Sequence, residues 1–423
     1  MASSRSLTAV AIIALICLPG SGASEPSNEQ PVAVESAGPL ALEDALALAL
    51  MHNPELQAFS WEARASEART LQAKKIPNPE LDVRLYRLGI PRRLSQPDEE
   101  RTRVVVRQEL EWGGQRGRRK RLARAEEKLA DLDYEVKRLE IVALVTSRFA
   151  SVVGAQRRVD STRRSVEFFE RMEATIEKLV ETGDIRSIEG NQSRRQVALR
   201  RIELGDAEAE LAAARYRLAA TWNSHDPLFT EAAGDLEHMQ EMPSLDELLE
   251  MAKQSPLFAR WNAEVLRSEA ALALAKSERM PSLTAGAGAR WEDDKGGEDW
   301  LVDLEISLPI FDTGKAGVAE GRHNAAKAQV ERQAAEAESV VMISEFYHSM
   351  AASRARAEIL RDEVLPTARA ALEAFQKGFG TDVAAPGDLF DAMRDLTRAE
   401  LEYTEALVEY HQAVAALEGL VGP

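Results

Sequence analysis

Cysteine is nearly missing from this chain of 423 residues: the single one, Cys17, sits inside an apolar run near the N-terminus. Downstream of that run there is no thiol, which excludes a disulfide framework, a thiolate metal site and a cysteine nucleophile. Aromatic residues make up only 5%, and neither glycine nor proline is enriched. That composition disfavours a β-sandwich or a large α/β enzyme. The six histidines are scattered, and His-Glu-x-x-His, phosphate-loop and Gly-x-Ser-x-Gly patterns are all missing. A lone Glu345-x-x-His348 pair has no second copy, whereas a carboxylate di-iron bundle needs two. The chain therefore reads as a non-enzyme with no cofactor and no bound metal. Positive charge is short as well: the formal net charge is −17, which argues against nucleic acid as a partner. Apart from Leu7–Leu18, no run approaches the roughly 18 consecutive apolar residues of a bilayer-spanning helix. A β-barrel remains open as a way to cross a membrane.

What is abundant is Ala, Leu, Glu and Arg, the composition of long helices. Arg5, the apolar run and the small residues Ser21-Gly22-Ala23 read together as an export signal over residues 1–23. Residues 24–41 then form a short N-terminal periplasmic segment. Cys17 is also a candidate lipid-attachment site, but Ile16 precedes it where a lipoprotein signal has a small residue.

The rest of the chain is written twice. Residues 42–56, LEDALALALMHNPEL, resemble residues 244–258, SLDELLEMAKQSPLF, with Pro54 on Pro256 and Asn53 on Ser255. In the same register Pro79-Glu80-Leu81 falls on Pro281-Ser282-Leu283. After a gap of two, Leu110–Gln115 falls on Ile310–Lys315. The period is far longer than a solenoid unit, so a domain half has been duplicated. The first repeat covers 42–222, a linker 223–243, and the second repeat 244–423.

Each repeat carries two segments in which apolar and polar residues alternate, the mark of strands with one apolar and one polar face. The first repeat has 80–88, with Leu81, Val83 and Leu85 on one face, and 103–112, with Val104, Val106, Leu110 and Trp112. In the second repeat the segments start at Leu283 and at Trp300, and the latter alternates through Val302, Leu304, Ile306, Leu308 and Ile310. About ten residues is the length of a tilted membrane strand. Four such strands cannot close a barrel, and open edges are not tolerated in lipid, so several chains must pool theirs.

From Gln115 to Val180 there is no proline, and apolar residues recur at three and four, as in a coiled-coil seam. Gly183-Asp184 ends this helix and residues 186–222 run back. The segment from Pro256 to Arg279 is predicted to stack on that returning leg. In the second repeat a helix from Lys315 to Lys377 is predicted to be interrupted at Pro366, and 388–420 returns. Trp112, Trp291 and Trp300 at strand ends, with the basic Arg116, Arg118, Arg119 and Lys120, read as a collar at the membrane interface facing anionic headgroups.

Several of these segments carry a family resemblance. They are Asn53-Pro54-Glu55-Leu56, Gln108-Glu109-Leu110-Glu111-Trp112-Gly113-Gly114-Gln115-Arg116, Leu308-Pro309-Ile310-Phe311-Asp312-Thr313-Gly314-Lys315 and Gly387-Asp388-Leu389-Phe390-Asp391-Ala392. Together they resemble the TolC family of outer-membrane efflux channels, over nearly the whole chain from Leu42 to Gly422. The Gly-Gly-Gln-Arg-Gly-Arg-Arg segment is similar to the heavy-metal branch, that of the CzcC- and CusC-like channels. The resemblance implies a mainly α protein with membrane β: a homotrimer whose strands form one twelve-stranded barrel, continued by an α-helical tunnel across the periplasm. It implies a passive exit duct that docks on a periplasmic adaptor and an inner-membrane pump of the resistance-nodulation-division type. Asp388 and Asp391 match aspartates that ring the periplasmic entrance in the family, and three chains would place six carboxylates around one axis. The family's basic partner just before this pair has no equivalent here, where Val383, Ala384 and Ala385 stand. The turns around Gly183, Asp184 and Ile185, and around Gly380 and Val383, would be the tips that touch the adaptor. Heavy-metal cations are the expected cargo, with drugs, solvents or secreted polypeptides as the alternative. A periplasmic coiled-coil adaptor or scaffold is the more remote reading, and a helical-bundle enzyme a third.

Overall fold

The computed structural model of the protein describes residues 35, 37–85, 101–183, 186–240, 243–292, 297–379 and 385–422. The export-signal reading and Cys17 lie outside the described residues, as do Asp184, Ile185, Gly380 and Val383. The first repeat runs α1 (Leu42–His52), α2 (Pro54–Ala73), β2 (Glu80–Leu85), β3 (Arg101–Leu110), α3 (Gln115–Glu181) and α4 (Ser187–Ala219), preceded by the short β1 (Pro39–Leu40). After β4 (Glu231–Ala232) the order recurs as α5 (Leu245–Ala252), α6 (Pro256–Glu278), β5 (Leu283–Glu292), β6 (Gly297–Ile306), α7 (Lys315–Ile359), α8 (Leu365–Gly378) and α9 (Pro386–Val421).

Local chemistry explains the joints. Asn53 caps α2, its side-chain oxygen accepting from the Leu56 amide at 3.0 Å, while Pro54 occupies the first helical position where no donor is missed. At the strand-to-helix exits the chain turns through left-handed residues, Gly114 at φ 78° before α3 and Gly314 at φ 64° before α7. Only glycine takes that conformation without strain, which accounts for the Gly-Gly-Gln and Thr-Gly-Lys segments.

Helix α3 has 67 residues, about 100 Å at 1.5 Å per residue. Helix α2 lies against its first half, with Lys137 paired to Glu55 at 3.4 Å, and α6 lies there too, with Arg260 paired to Asp133 at 2.7 Å. Its second half pairs with α4 through Arg201–Glu170 at 2.7 Å, and with α9, where Phe169 stacks on Phe390 at 4.9 Å. The stacking expected of Pro256–Arg279 on the returning leg is corrected here. It is α2 that continues α4, because the Asn53 side chain donates to the carbonyl of Thr221 at 2.8 Å. Helix α6 starts instead near the end of α9. One 18-residue window of α3 is apolar enough to cross a membrane by composition, although it holds no unbroken apolar run of that length. Half of that window is buried within this bundle.

The expected break at Pro366 lies one turn earlier. A π turn, Leu360–Val364, separates α7 from α8, and Pro366 sits inside the first turn of α8. Residues between the repeats form a strap. Glu35 is buried and accepts from the backbone amides of Leu228 and Phe229 at 2.9 and 3.0 Å and from the Trp222 indole. Gln156 on α3 bonds both the amide and the carbonyl of Ala232, at 2.8 and 3.1 Å. The Tyr410 hydroxyl of α9 donates to the carbonyl of Gln240 at 2.9 Å. Strand β1 pairs in parallel with β4, completing this belt around the middle of the helices.

Candidate functional site

Strands β2, β3, β5 and β6 form one antiparallel sheet in that order, so β3 and β5 join the two repeats. The register places Leu81, Val83, Val104, Val106, Leu110, Ala287, Ala289, Val302, Leu304 and Ile306 on one face. This face is uncovered: Val302 is 87% exposed, Trp300 84% and Leu304 65%. An uncovered apolar sheet face of this extent marks contact with lipid or another protein. Two strand limits move. Strand β3 covers 101–110 rather than 103–112, and β6 covers 297–306 rather than 300–310. The last rung of β5 with β6 is Leu283 to Ile306; the Ser307 amide still donates to the Ser282 carbonyl at 3.1 Å, and Pro281 beyond it has no amide to give to a ladder.

The opposite face is charged. In successive rows across β2, β3, β5 and β6 stand Arg84, Arg103, Arg290 and Asp299; then Asp82, Val105, Gly288 and Leu301; then Glu80, Arg107, Gly286 and Asp303. Below them lie Glu109, Thr284 and Glu305. Arg107 pairs with Asp82 at 2.7 Å and with Asp303 at 3.3 Å, Arg103 pairs with Asp303, and Arg290 with Asp299 at 2.7 Å. This network was missed from the sequence. Its signal was present in the period-two spacing of Asp82 and Arg84, of Arg103 and Arg107, and of Gly286, which stands between Arg107 and Asp303.

The single collar read from the sequence divides in two. Antiparallel pairing puts Trp291 and Trp300 toward the loop end of the sheet, whereas Trp112 follows β3 at the helical end. The Trp112 indole donates to the carbonyl of Pro281. Arg116 and Arg119 donate to the carbonyls of Lys74 and Lys75, just past the end of α2, at 3.0 Å each, and Arg119 also pairs with Glu111. Those guanidiniums cap a helix end. Arg118 and Lys120 make no ion pair among the described residues.

At the far end, Asp388 and Asp391 both lie in the first turns of α9 and are exposed. Asp388 accepts from the backbone amide of Ala385 at 2.9 Å, closing a cap, and Asp391 pairs with Arg394 at 2.9 Å. With Asp395 and Glu363 they line an open groove of about 570 Å³ between α8 and α9. Gly183 ends α3 in the left-handed region at φ 81°. No group of three or more His, Cys, Asp or Glu side chains arranged to hold a metal occurs among the described residues.

This architecture matches known proteins. The family model described as outer membrane efflux protein matches residues 45–224 and 248–423. The cobalt-zinc-cadmium resistance protein CzcC of Cupriavidus metallidurans is 31% identical over 92% of this chain and 91% of its own length. Among solved structures, a membrane protein from Pseudomonas aeruginosa superposes with a TM-score of 0.79 at 18% identity, over 90% of each chain. CusC, a structure concerned with transmembrane channel formation, gives a TM-score of 0.71 at 15% identity over 90% of this chain and 92% of its own. With a twice-written fold, a lipid-ready sheet face and matches over both repeats, the chain belongs to the outer membrane efflux protein family and is an outer-membrane channel protein with a helical periplasmic tunnel.

Proposed function

We propose that three copies of this chain assemble into the exit duct of a tripartite efflux system that exports heavy-metal cations. The observation that carries the reading is the four-stranded sheet. Its apolar face is bare, and its edge strands β2 and β6 have no further partner among the described residues. In lipid every backbone group must be paired, so the sheet has to close by pooling strands. Three chains supply twelve, an even-numbered barrel of a size that leaves a lumen.

A bare tunnel supplies no driving force, so the duct is passive and takes cargo from a periplasmic adaptor and an inner-membrane pump. The adaptor meets the tips around Gly183, Asp184, Ile185, Gly380 and Val383. Asp388 and Asp391 form the carboxylate ring at the entrance, with Arg394 moderating Asp391 from the same helix. Trp291 and Trp300 anchor the outer interface of the lipid bilayer, and Trp112, with the basic stretch Arg116, Arg118, Arg119 and Lys120, the inner one. The metal cargo is supported by the likeness to a cobalt-zinc-cadmium resistance protein. Deleting the gene and restoring it in trans tests this against zinc, cobalt, cadmium, copper and silver salts beside a panel of drugs and solvents. Restored tolerance confined to metals is the expected result; sensitivity to drugs alone would overturn the cargo.

A further inference from the structure

The two repeats correspond strand by strand. Leu81 faces Val106 in the first, and Leu283 faces Ile306 in the second, so β2 corresponds to β5 and β3 to β6. Between the repeats β3 lies on β5. The helices that carry the strands keep the same order, α2, α3, α6 and α7, with Arg332 of α7 donating to Asn262 of α6 at 3.1 Å. One edge of the chain is therefore β2 with α2, and the other is β6 with α7. Each edge lacks the neighbour that its counterpart in the other repeat possesses.

The edges also carry the bare apolar surface. Among the described residues α9 exposes no large apolar side chain and α3 only Leu144, whereas α2 exposes Trp61, α4 Ile202, and α7 Val330 and Val341. Past the end of β6, Leu308 and Ile310 are 68% and 69% exposed. The Ser307 amide donates to the Ser282 carbonyl on the β5 side at 3.1 Å. Amides alternate along a strand, so position 309 also faces β5, while the amides of Ile306, Leu308 and Ile310 face the open edge. Pro309 thus lacks its donor only on the side where β5 is ending. On the open side the chain bonds to itself, the Ile310 amide donating to the Leu308 carbonyl at 2.9 Å.

We propose that the seam between copies repeats the seam within the chain: β6 of one copy lies against β2 of the next in the register that β3 and β5 show. Val106–Ala287, Gln108–Ala285 and Leu110–Leu283 then become Ile306–Leu85, Leu308–Val83 and Ile310–Leu81. All six residues of the new seam fall on the apolar face. A slip of one residue would set Leu308 opposite Asp82 or Arg84. When the second copy arrives β6 grows from Ile306 to Ile310, which accounts for an alternation that outruns the strand of the single chain. The contact joins one edge to the other, so it closes as a ring and not as a two-fold pair. The proposal rests on the duct reading above and adds which residues of two copies meet.

The test is oxidative cross-linking of the full-length protein in outer membranes, with Cys17 replaced. A disulfide needs Cα atoms within about 7 Å. Directly opposed residues meet this at about 4.5–5.5 Å, and diagonal ones, at about 7–8 Å, do not. Leu308→Cys with Val83→Cys, and independently Ile310→Cys with Leu81→Cys, should give bands of two and three chains and nothing larger on a non-reducing gel. Leu308→Cys with Leu81→Cys or with Leu85→Cys should stay monomeric. Co-expressed single variants Leu308→Cys and Val83→Cys should give two-chain bands only, because each bond then joins different copies. Trimeric protein that closes through a mismatched pair, or through neither matched pair, overturns the seam while leaving the duct intact. A ladder ending at two chains in the double variants, or monomeric protein in the membrane, overturns the duct reading itself.

Discussion

Helices α3 and α9 approach closely where Gly154 faces Val408. A Cβ built on Gly154 would stand 2.4 Å from Cγ2 of Val408, well inside the roughly 3.8 Å at which two carbons touch without repulsion. Val408 cannot step aside cheaply, since a β-branched side chain in a helix holds essentially one rotamer. Gly154→Ala therefore sets two effects against each other. Helix propensity favours alanine by about 1 kcal/mol, and overpacking costs about 1–3 kcal/mol. The sum is neutral to about 2 kcal/mol destabilising. Val408→Ala removes the clash and leaves the Cβ of residue 408 at 3.7 Å and Thr404 Cγ2 at 3.8 Å, both ordinary contacts. In that background the same Gly154→Ala change stabilises by about 1 kcal/mol. The coupling across the cycle is then about 1–3 kcal/mol. The four proteins are compared by loss of helical circular dichroism at one heating rate, or by half-life at one temperature, neither of which requires reversible unfolding. Gly154→Ala having the same sign and size in both backgrounds would refute the close approach of the two helices.

Three further outcomes follow from the structure. Burial first, and the Glu237 carboxylate beside it second, push the Tyr403 phenol up to about 12, and its hydroxyl donates to Glu237. The folded value lies above the unfolded value near 10, so this contribution is complete below pH 10. It is lost as pH rises to 12, on the order of 2 kcal/mol at most; Tyr403→Phe should remove that alkaline limb and the late phenolate absorbance. Asp388→Ala loses the cap on the Ala385 amide and costs about 1 kcal/mol, while Asp388→Asn keeps an acceptor there and loses only charge. Altered conductance in Asp388→Asn at unchanged thermal stability would separate the entrance charge from the cap, and an unaltered channel would remove Asp388 from the gate. Val302→Arg places a cation on the lipid face at about 2–4 kcal/mol per chain near the bilayer centre. It should sharply reduce the protein recovered in the outer membrane, whereas normal recovery would mean that this face is not in lipid.

The parts legible in the sequence are those in which one residue decides one local event. Asn53-Pro54 starts a helix, Gly114 and Gly314 turn strand into helix, and the alternation from Trp300 to Ile306 assigns each side chain a face. The parts that were not legible depend on what lies across a gap. That α2 rather than α6 continues α4 hinges on one bond from Asn53 to the Thr221 carbonyl, 168 residues away. The belt has no periodicity to read; Phe229 is buried against Trp222 and under the Arg215 guanidinium of α4, and Leu236 is buried where its carbonyl meets His411 of α9. The basic stretch after Trp112 reads as a surface charge, yet Arg116 and Arg119 spend their donors on the last carbonyls after α2, which no local pattern announces. Asp391 likewise has its partner one turn onward, at Arg394, rather than in the preceding turn where the family resemblance directed attention.

The π turn Leu360–Val364 interrupts the second repeat where α3 of the first runs unbroken, and its cause can be decided. Pro366 has no amide to offer the carbonyl of Asp362, so a proline origin is natural. The buried positions give another. They run Met350, Ser353, Ala357 and Leu360 at steps of three and four, and then Leu365 follows at five. In an α-helix five residues overshoot the buried stripe by about 140°. One wider turn brings Leu365 back onto it, and Thr367 meets a carbonyl of that turn, its hydroxyl donating to Glu363 at 2.7 Å. If hydrophobic spacing sets the register, Pro366→Ala keeps the π turn, and Glu363 stays in the groove with Asp391 and Asp395. If proline sets it, the segment reverts to α, α8 rotates by about 100°, and Leu365 and Leu372 turn toward solvent. Spin labels at Ala371 and Asp395, placed with Cys17 replaced, read the difference as a distance across the groove. We expect the distance to be unchanged by Pro366→Ala and to move when Leu365 and Leu372 are made polar. A shift of several ångströms in the proline variant alone would show that the ring, and not the burial of Leu365, keeps Glu363 beside Asp391 and Asp395 in the groove.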